Sequence, residues 1–253
     1  MSEQRGKLPN INDVPSSAWE KLSQESIYFG HQSVGYNIIE GLKDVMREHP
    51  EIRLKIVEST NASDLSPGTF MHSRVGKNTD PQSKVDEFYR FLEQGIGNKA
   101  DIAGVKFCYV DVRANTDINN VFDGYRTRIE KARSQFPKTT IIHFTVPLTV
   151  SRTTWKTVVK KIIGRQTWEY DDNIKRNQYN DLVLKTFCGK EPVFDLAKIE
   201  STYPDGRRCA FTKDGKTYYS LVPGYTTDGG HLNEKGRKMV AEQFLIFLAT
   251  LKQ

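Results

Sequence analysis

Short runs rich in β-branched and aromatic residues alternate along this chain with longer stretches whose apolar residues recur every three or four positions. That is the pattern of a parallel sheet wrapped by helices. The first run, SIYFG, ends at Gly30. Ile38, Ile39, Leu42, Val45 and Met46 then define one helical face, with Glu40, Lys43, Asp44 and Arg47 opposite it and Pro50 as the stop. A second strand is predicted over IRLKIVEST, 52–60, followed by a long loop carrying Pro67, Gly68, Gly76 and Pro81. Helical spacing resumes at Ser83, and VKFCYVDV, 105–112, reads as a buried central strand. A helix over about 118–135, a strand within TTIIHFTVPLT, 139–149, a helix over 173–188 and a short strand in PVFDL follow. CAFT and TYYSLV flank KDGK, where Asp214-Gly215 predicts a two-residue hairpin. A closing amphipathic helix is expected over 233–251. The expected fold is a flavodoxin-like, doubly wound, five-stranded parallel sheet in a three-layer α/β/α arrangement. Its strand order would be 2-1-3-4-5, with a small β-hairpin inserted before the last Gly-rich loop. Residues 1–25 read as an N-terminal extension and 26–253 as one domain.

Composition narrows the classes. The longest apolar stretch, FLIFLATL near the C-terminus, is far below the roughly 20 residues needed to cross a bilayer, so no membrane span is expected. The opening MSEQRGKLPNINDVP has no apolar signal core; a cytoplasmic location is the expectation for the chain as written, with a removed leader the alternative. Lys and Arg outnumber Asp and Glu by 37 to 31, a net charge of +6, but the basic residues are dispersed among acids, so no nucleic-acid partner is expected. The three cysteines, Cys108, Cys188 and Cys209, form no CxxC pair, and the histidines show no metal-ligand spacing; neither metal nor cofactor is expected. Nothing fits a phosphate-binding GxGxxG or GxxxxGK[ST] loop. Oligomeric state is not legible.

In sheets of this kind ligands sit at the carboxyl ends of the strands. The first strand ends in FGHQSVG, 29–35, which sets Ser33 on a turn that opens a helix, where a hydroxyl can act as nucleophile or as an N-cap. Near the other end, TDGGHLNEKG, 227–236, has Asp228 three residues before His231 on a Gly-rich loop entering the last helix. A carboxylate at that spacing can bond one imidazole nitrogen, fix the tautomer and leave the other nitrogen to take a proton from Ser33. Asp195, ending the PVFDL strand, is a rival acid or a helix cap.

With a serine after the first strand and a C-terminal DxxH, the sequence resembles the SGNH hydrolases, also called the GDSL esterase and lipase family. The resemblance implies Ser33 as nucleophile, His231 as general base and Asp228 as its orienting acid. The family's Gly-Asp-Ser is replaced here by Gly30-His31-Gln32-Ser33. The resemblance also implies a glycine N–H and an asparagine side chain in an oxyanion hole. Gly76, preferred over Gly68, and Asn115 are the candidates, with Asp111 nearer the strand end. His31 and Gln32 are candidates for substrate binding or loop anchoring, and His143 for a core histidine. The implied activity is a serine esterase acting on a small acyl, acetyl-sized, ester. Trp155, Trp168, Tyr170, Tyr203, Tyr218, Tyr219 and Tyr225 suit a sugar-stacking rim, so an acetylated carbohydrate is the substrate class they suggest. The alternatives are a non-catalytic SGNH-like domain that binds polysaccharide or protein, and a carbohydrate O-acyltransferase.

Overall fold

Strand β1 (Ile27–His31) is buried at every position because it runs down the middle of a parallel sheet. The structure, a computed structural model, describes residues 7–151 and 168–251. Parallel neighbours flank β1: β3 (Thr69–Arg74), with Ile27 beside Phe70, and β4 (Ile102–Val105), with Ile27 beside Ile102. Outside these lie β2 (Lys55–Glu58), β5 (Thr140–Phe144) and the short β6 (Val193–Phe194), giving the order β2-β3-β1-β4-β5-β6.

The α/β class, the parallel sheet and the hairpin agree with expectation, and two details are corrected. The sheet has six strands, because the expected long loop contains β3. Its sequence TFMHSR carries polar residues, yet Thr69, His72 and Ser73 are buried and hydrogen-bonded within the interior. The strand assigned to 105–112 ends at Val105; the residues beyond it enter a loop with a 3-10 turn (Tyr109–Asp111), in which Phe107, Cys108 and Val112 are buried outside any strand. A continuous apolar run reports burial and does not distinguish strand from buried loop.

Alternation along the strands divides the interior in two. Ile27, Phe29, Phe70, Ile102, Ile142 and Phe144 face one core, closed by α1 (Ser16–Leu22), α2 (Val34–Glu48) and the C-terminal helix. Tyr28, Met71, Ala103 and Ile141 face the other, closed by α3 (Pro81–Glu93), α4 (Ile118–Gln135) and α5 (Trp168–Phe187). The short α6 (Leu196–Glu200) is capped by Asp195, whose carboxylate accepts from Lys198 N (3.1 Å) and from the Thr145 hydroxyl (3.0 Å). β7 (Ala210–Lys213) and β8 (Lys216–Tyr219) form the hairpin; Asp214 (φ 50°) and Gly215 (φ 73°) both have the positive φ that a type I′ turn requires. Helix α7 (Glu234–Ala249) starts at Asn233, whose side chain accepts from Gly236 N (3.0 Å). Among the described residues no helix is long and apolar enough to cross a membrane.

The packing that matters most for the site is between α2 and α7. At Gly41 the two helices approach so closely that a Cβ would lie 2.3 Å from the carbonyl oxygen of Arg237. Arg237 Nε donates to Asp44 Oδ2 (2.8 Å) across the same contact. Gly41→Leu is therefore expected to push the helices apart and cost about 1–3 kcal/mol of stability. A urea midpoint unchanged from wild type would contradict this packing.

Candidate active site

Ser33 stands at the carboxyl end of β1, in the N-cap position of α2, with φ −21° and ψ −65°. Serine is a favoured cap, yet this side chain makes no capping bond; its Oγ contacts Cys108 Sγ at 3.7 Å. The hydroxyl is thus not committed to helix initiation. At the opening of α2 the Gly35 N–H donates to Gln32 O (2.7 Å) and the Tyr36 N–H to Ser33 O (3.0 Å), so of the donors a helix start exposes the Ser33 N–H is the candidate to meet a ligand.

The Asp228–His231 pair has the geometry its spacing predicts. Asp228 Oδ2 lies 2.7 Å from His231 Nδ1, while Oδ1 accepts from the backbone N–H groups of Gly230 (2.9 Å) and His231 (2.8 Å). Partial desolvation opposes ionisation of Asp228, but these two N–H donors and the His231 ring outweigh it and hold the carboxyl well below the usual range. The ionised carboxylate requires hydrogen on Nδ1, which leaves Nε2 as the proton acceptor. Leu232 N donates to Asn37 Oδ1 on α2 (3.2 Å), tying the histidine loop to the serine helix. Among the described residues, Ser33 and His231 are not hydrogen-bonded to each other; such contacts commonly tighten only when substrate is bound.

The other candidates separate. His31 and Gln32 anchor loops. The Gln32 amide donates to the carbonyls of Val75 (3.0 Å) and Gly76 (2.8 Å). His31 Nδ1 faces Gln32 O (3.2 Å) and its Nε2 faces His72 Nδ1 (3.0 Å). Because a carbonyl only accepts, His31 carries its proton on Nδ1 and accepts from His72. Burial, with His72 alongside, lowers the pKa of His31 to about 3, and burial lowers that of His72. The Gly76 N–H donates to Glu87 Oε2 (2.6 Å), so it is occupied within its own loop. Asn115 lines a separate hollow with Lys175, Gln178 and Tyr218. Asp111 is buried; its carboxylate pairs with Lys84 (2.5 Å) and accepts from Thr79 N (2.8 Å) and Cys108 N (2.7 Å). Its charge is spent on fixing the loop after β4. His143 is bonded at both ring nitrogens, to Tyr125 (2.8 Å) and Glu191 (2.9 Å), within the core. Trp155 lies outside the described residues.

Several residues that periodicity could not flag surround the site. Tyr109 sets its ring edge-on to His231, with its hydroxyl 3.5 Å from Nδ1. A cleft of about 420 Å³ opens beside it, lined in part by Thr149, Asp172, Arg176, Asp228 and Gly230. Arg176 is almost wholly buried and holds the walls together, donating from Nε to Tyr109 O (2.9 Å) and from Nη1 to Thr149 Oγ1 (2.8 Å) and Asn173 Oδ1 (2.9 Å). Glu200 is fully buried; Oε1 accepts from Leu148 N, and among the described residues Oε2 has no hydrogen-bond partner. Among the described residues no cluster suited to a metal is formed.

No protein-family model matches the sequence, and no curated protein matches it. Solved structures do. A proposed platelet activating factor protein from Streptococcus pneumonia aligns over 92% of this chain and 90% of its own, with a TM-score of 0.51 and 15% identity. A proposed GDSL-like lipase from Parabacteroides merdae aligns over 90% of this chain and 97% of its own, with a TM-score of 0.50 and 10% identity.

Burial of Glu200 yields a stability test. It raises the carboxyl pKa to about 8, against the pull of the Leu148 N–H and of the Lys106 and Arg176 charges. The folded state then holds a proton that the unfolded chain has released, so stability falls as pH rises from the ordinary carboxylate range to about 8. The buried histidines have lowered values and act oppositely, losing stability as pH falls below about 6.5. Between about pH 6.5 and 8 Glu200 therefore contributes a decline that the histidines do not, and thermal melts of Glu200→Gln are expected to lose that part of the slope. A slope equal to wild type would refute the assignment.

The similarity to solved structures is one of fold, and on it the chain has an SGNH/GDSL hydrolase-like fold.

Proposed function

We propose that this protein is a serine hydrolase of SGNH type that cleaves a small, acetyl-sized carboxylic ester. Ser33 is the nucleophile, His231 the general base and Asp228 the group that orients the base. The observation that carries this reading is the 2.7 Å Asp228–His231 bond, on a loop tethered by Asn37 to the helix at whose start Ser33 keeps an uncapped hydroxyl.

Ser33 Oγ attacks the ester carbonyl carbon as its proton passes to His231 Nε2. Asp228 remains ionised and stabilises the imidazolium that forms. The carbonyl oxygen gains the negative charge and is met by the Ser33 N–H. Collapse breaks the carbon–oxygen bond to the leaving alcohol, which takes the proton from His231. A water molecule, deprotonated by the same nitrogen, then releases the acid from Ser33. The occupied Gly76 N–H and the position of Asn115 are reasons to assign the oxyanion to the start of α2. Tyr218 and Asn115 around the neighbouring hollow suit hydroxyl-rich ligands, which supports an acetylated carbohydrate as the substrate class. Acyl transfer to a sugar instead of water uses the same groups and is read by supplying acceptor sugars with p-nitrophenyl acetate.

A fluorophosphonate probe is expected to label the wild-type chain and not Ser33→Ala. Asp228→Asn, which loses the charge and permits the wrong tautomer, is expected to lower turnover of p-nitrophenyl acetate by about 10³–10⁴-fold. Equal labelling of Ser33→Ala would end the nucleophile assignment.

A further inference from the structure

The loop after β4 holds a feature that the proposed triad does not use. Lys106 is fully buried, and among the described residues no carboxylate reaches its ammonium within ion-pair distance, although its neighbour Lys84 is paired with Asp111. Such a group is costly to bury. Its Nζ donates to Phe107 O (2.8 Å) and to Cys108 Sγ (3.8 Å), and that sulfur lies 3.7 Å from Ser33 Oγ. Burial pulls the Lys106 pKa down, and the nearby Cys108, Asp111 and Glu200 oppose that shift.

We propose that Lys106, acting through the Cys108 thiol, is a positioning pair that orients and polarises the Ser33 hydroxyl from beneath. This inference rests on Ser33 being the nucleophile. The direction of the bonds follows from proton count. An ammonium has no lone pair, so Lys106 donates to the sulfur. Cys108 can then direct its single S–H at Ser33 Oγ, and Ser33 keeps its own proton for His231. As that proton leaves, charge grows on Oγ against a thiol already polarised by a cation in a low-dielectric interior. Cys108 N and Thr79 N bond Asp111, and Gly76 N bonds Glu87.

The test measures kcat and KM for p-nitrophenyl acetate, together with melting temperature, in Cys108→Ala, Cys108→Ser and Lys106→Met. Cys108→Ala is expected to lose about tenfold in kcat, the worth of one hydrogen bond, with KM unchanged. Cys108→Ser keeps a donor and is expected to recover part of that loss. Lys106→Met removes a buried charge while keeping the shape, so it is expected to lose kcat by about tenfold while melting at the wild-type temperature or above. Because Lys106→Met is expected to fold, it carries the test if the alanine variant does not. Wild-type kcat in Cys108→Ala or in Lys106→Met, with Ser33→Ala inactive, would overturn this inference alone. An active Ser33→Ala would overturn the nucleophile reading and this inference with it.

Discussion

The close crossing of α2 and α7 is the constraint on which the rest of the arrangement depends. Ser33 and His231 are separated by most of the chain, and each sits where a loop enters one of these two helices. Gly41 lets the helices meet at backbone distance, and Arg237 with Asp44 and Asn37 with Leu232 fix their register. A side chain at position 41 would separate the helices, and with them the serine from the histidine. The parallel sheet contributes the other half of the geometry. β1 is central, so its carboxyl end faces the loop after β4, and Cys108 comes to lie against Ser33.

Under the site the interior is rich in ionisable groups. Lys84, Lys106, Asp111 and Glu200 are all buried, along with His31 and His72. Only some of this charge is spent on structure. Lys84 and Asp111 hold the loop after β4, and the two histidines join β1 to β3 while remaining neutral. Glu200, with its raised pKa, keeps its proton, whereas Lys106 is left among the described residues without an ion pair in contact, a cost that a structure without function would be expected to avoid. That unpaired cation is the physical reason to connect Lys106 with the reactivity proposed for Ser33.

Much of this was legible in the sequence where a local rule acts alone. The span predicted for α4, 118–135, coincides with the observed helix because Asp117 caps it and the apolar spacing is regular. Asp214-Gly215 announced its turn because that turn requires positive φ at both residues. Asp228 and His231 were legible because their bond is local, three residues apart. β3 was hidden because His72 and Ser73 satisfy their polar groups through distant partners, His31 and Tyr28. Gly76 looked free in sequence, but its N–H is taken by Glu87 on the next helix. Lys106 gave one signal, a lysine inside the apolar run VKFCYV, whose meaning depends on the tertiary approach of Ser33.

The central claim is that Ser33 and His231, from opposite ends of the chain, act together on one ester group. A crystal structure of the protein after reaction with a p-nitrophenyl phosphonate addresses it most directly. The account predicts phosphorus bonded to Ser33 Oγ, one phosphoryl oxygen hydrogen-bonded to Ser33 N–H, and His231 Nε2 within hydrogen-bond reach of the phosphonate with Asp228 still on Nδ1. A phosphonate on any other residue, or a Ser33 adduct with His231 turned away from it, would contradict the account.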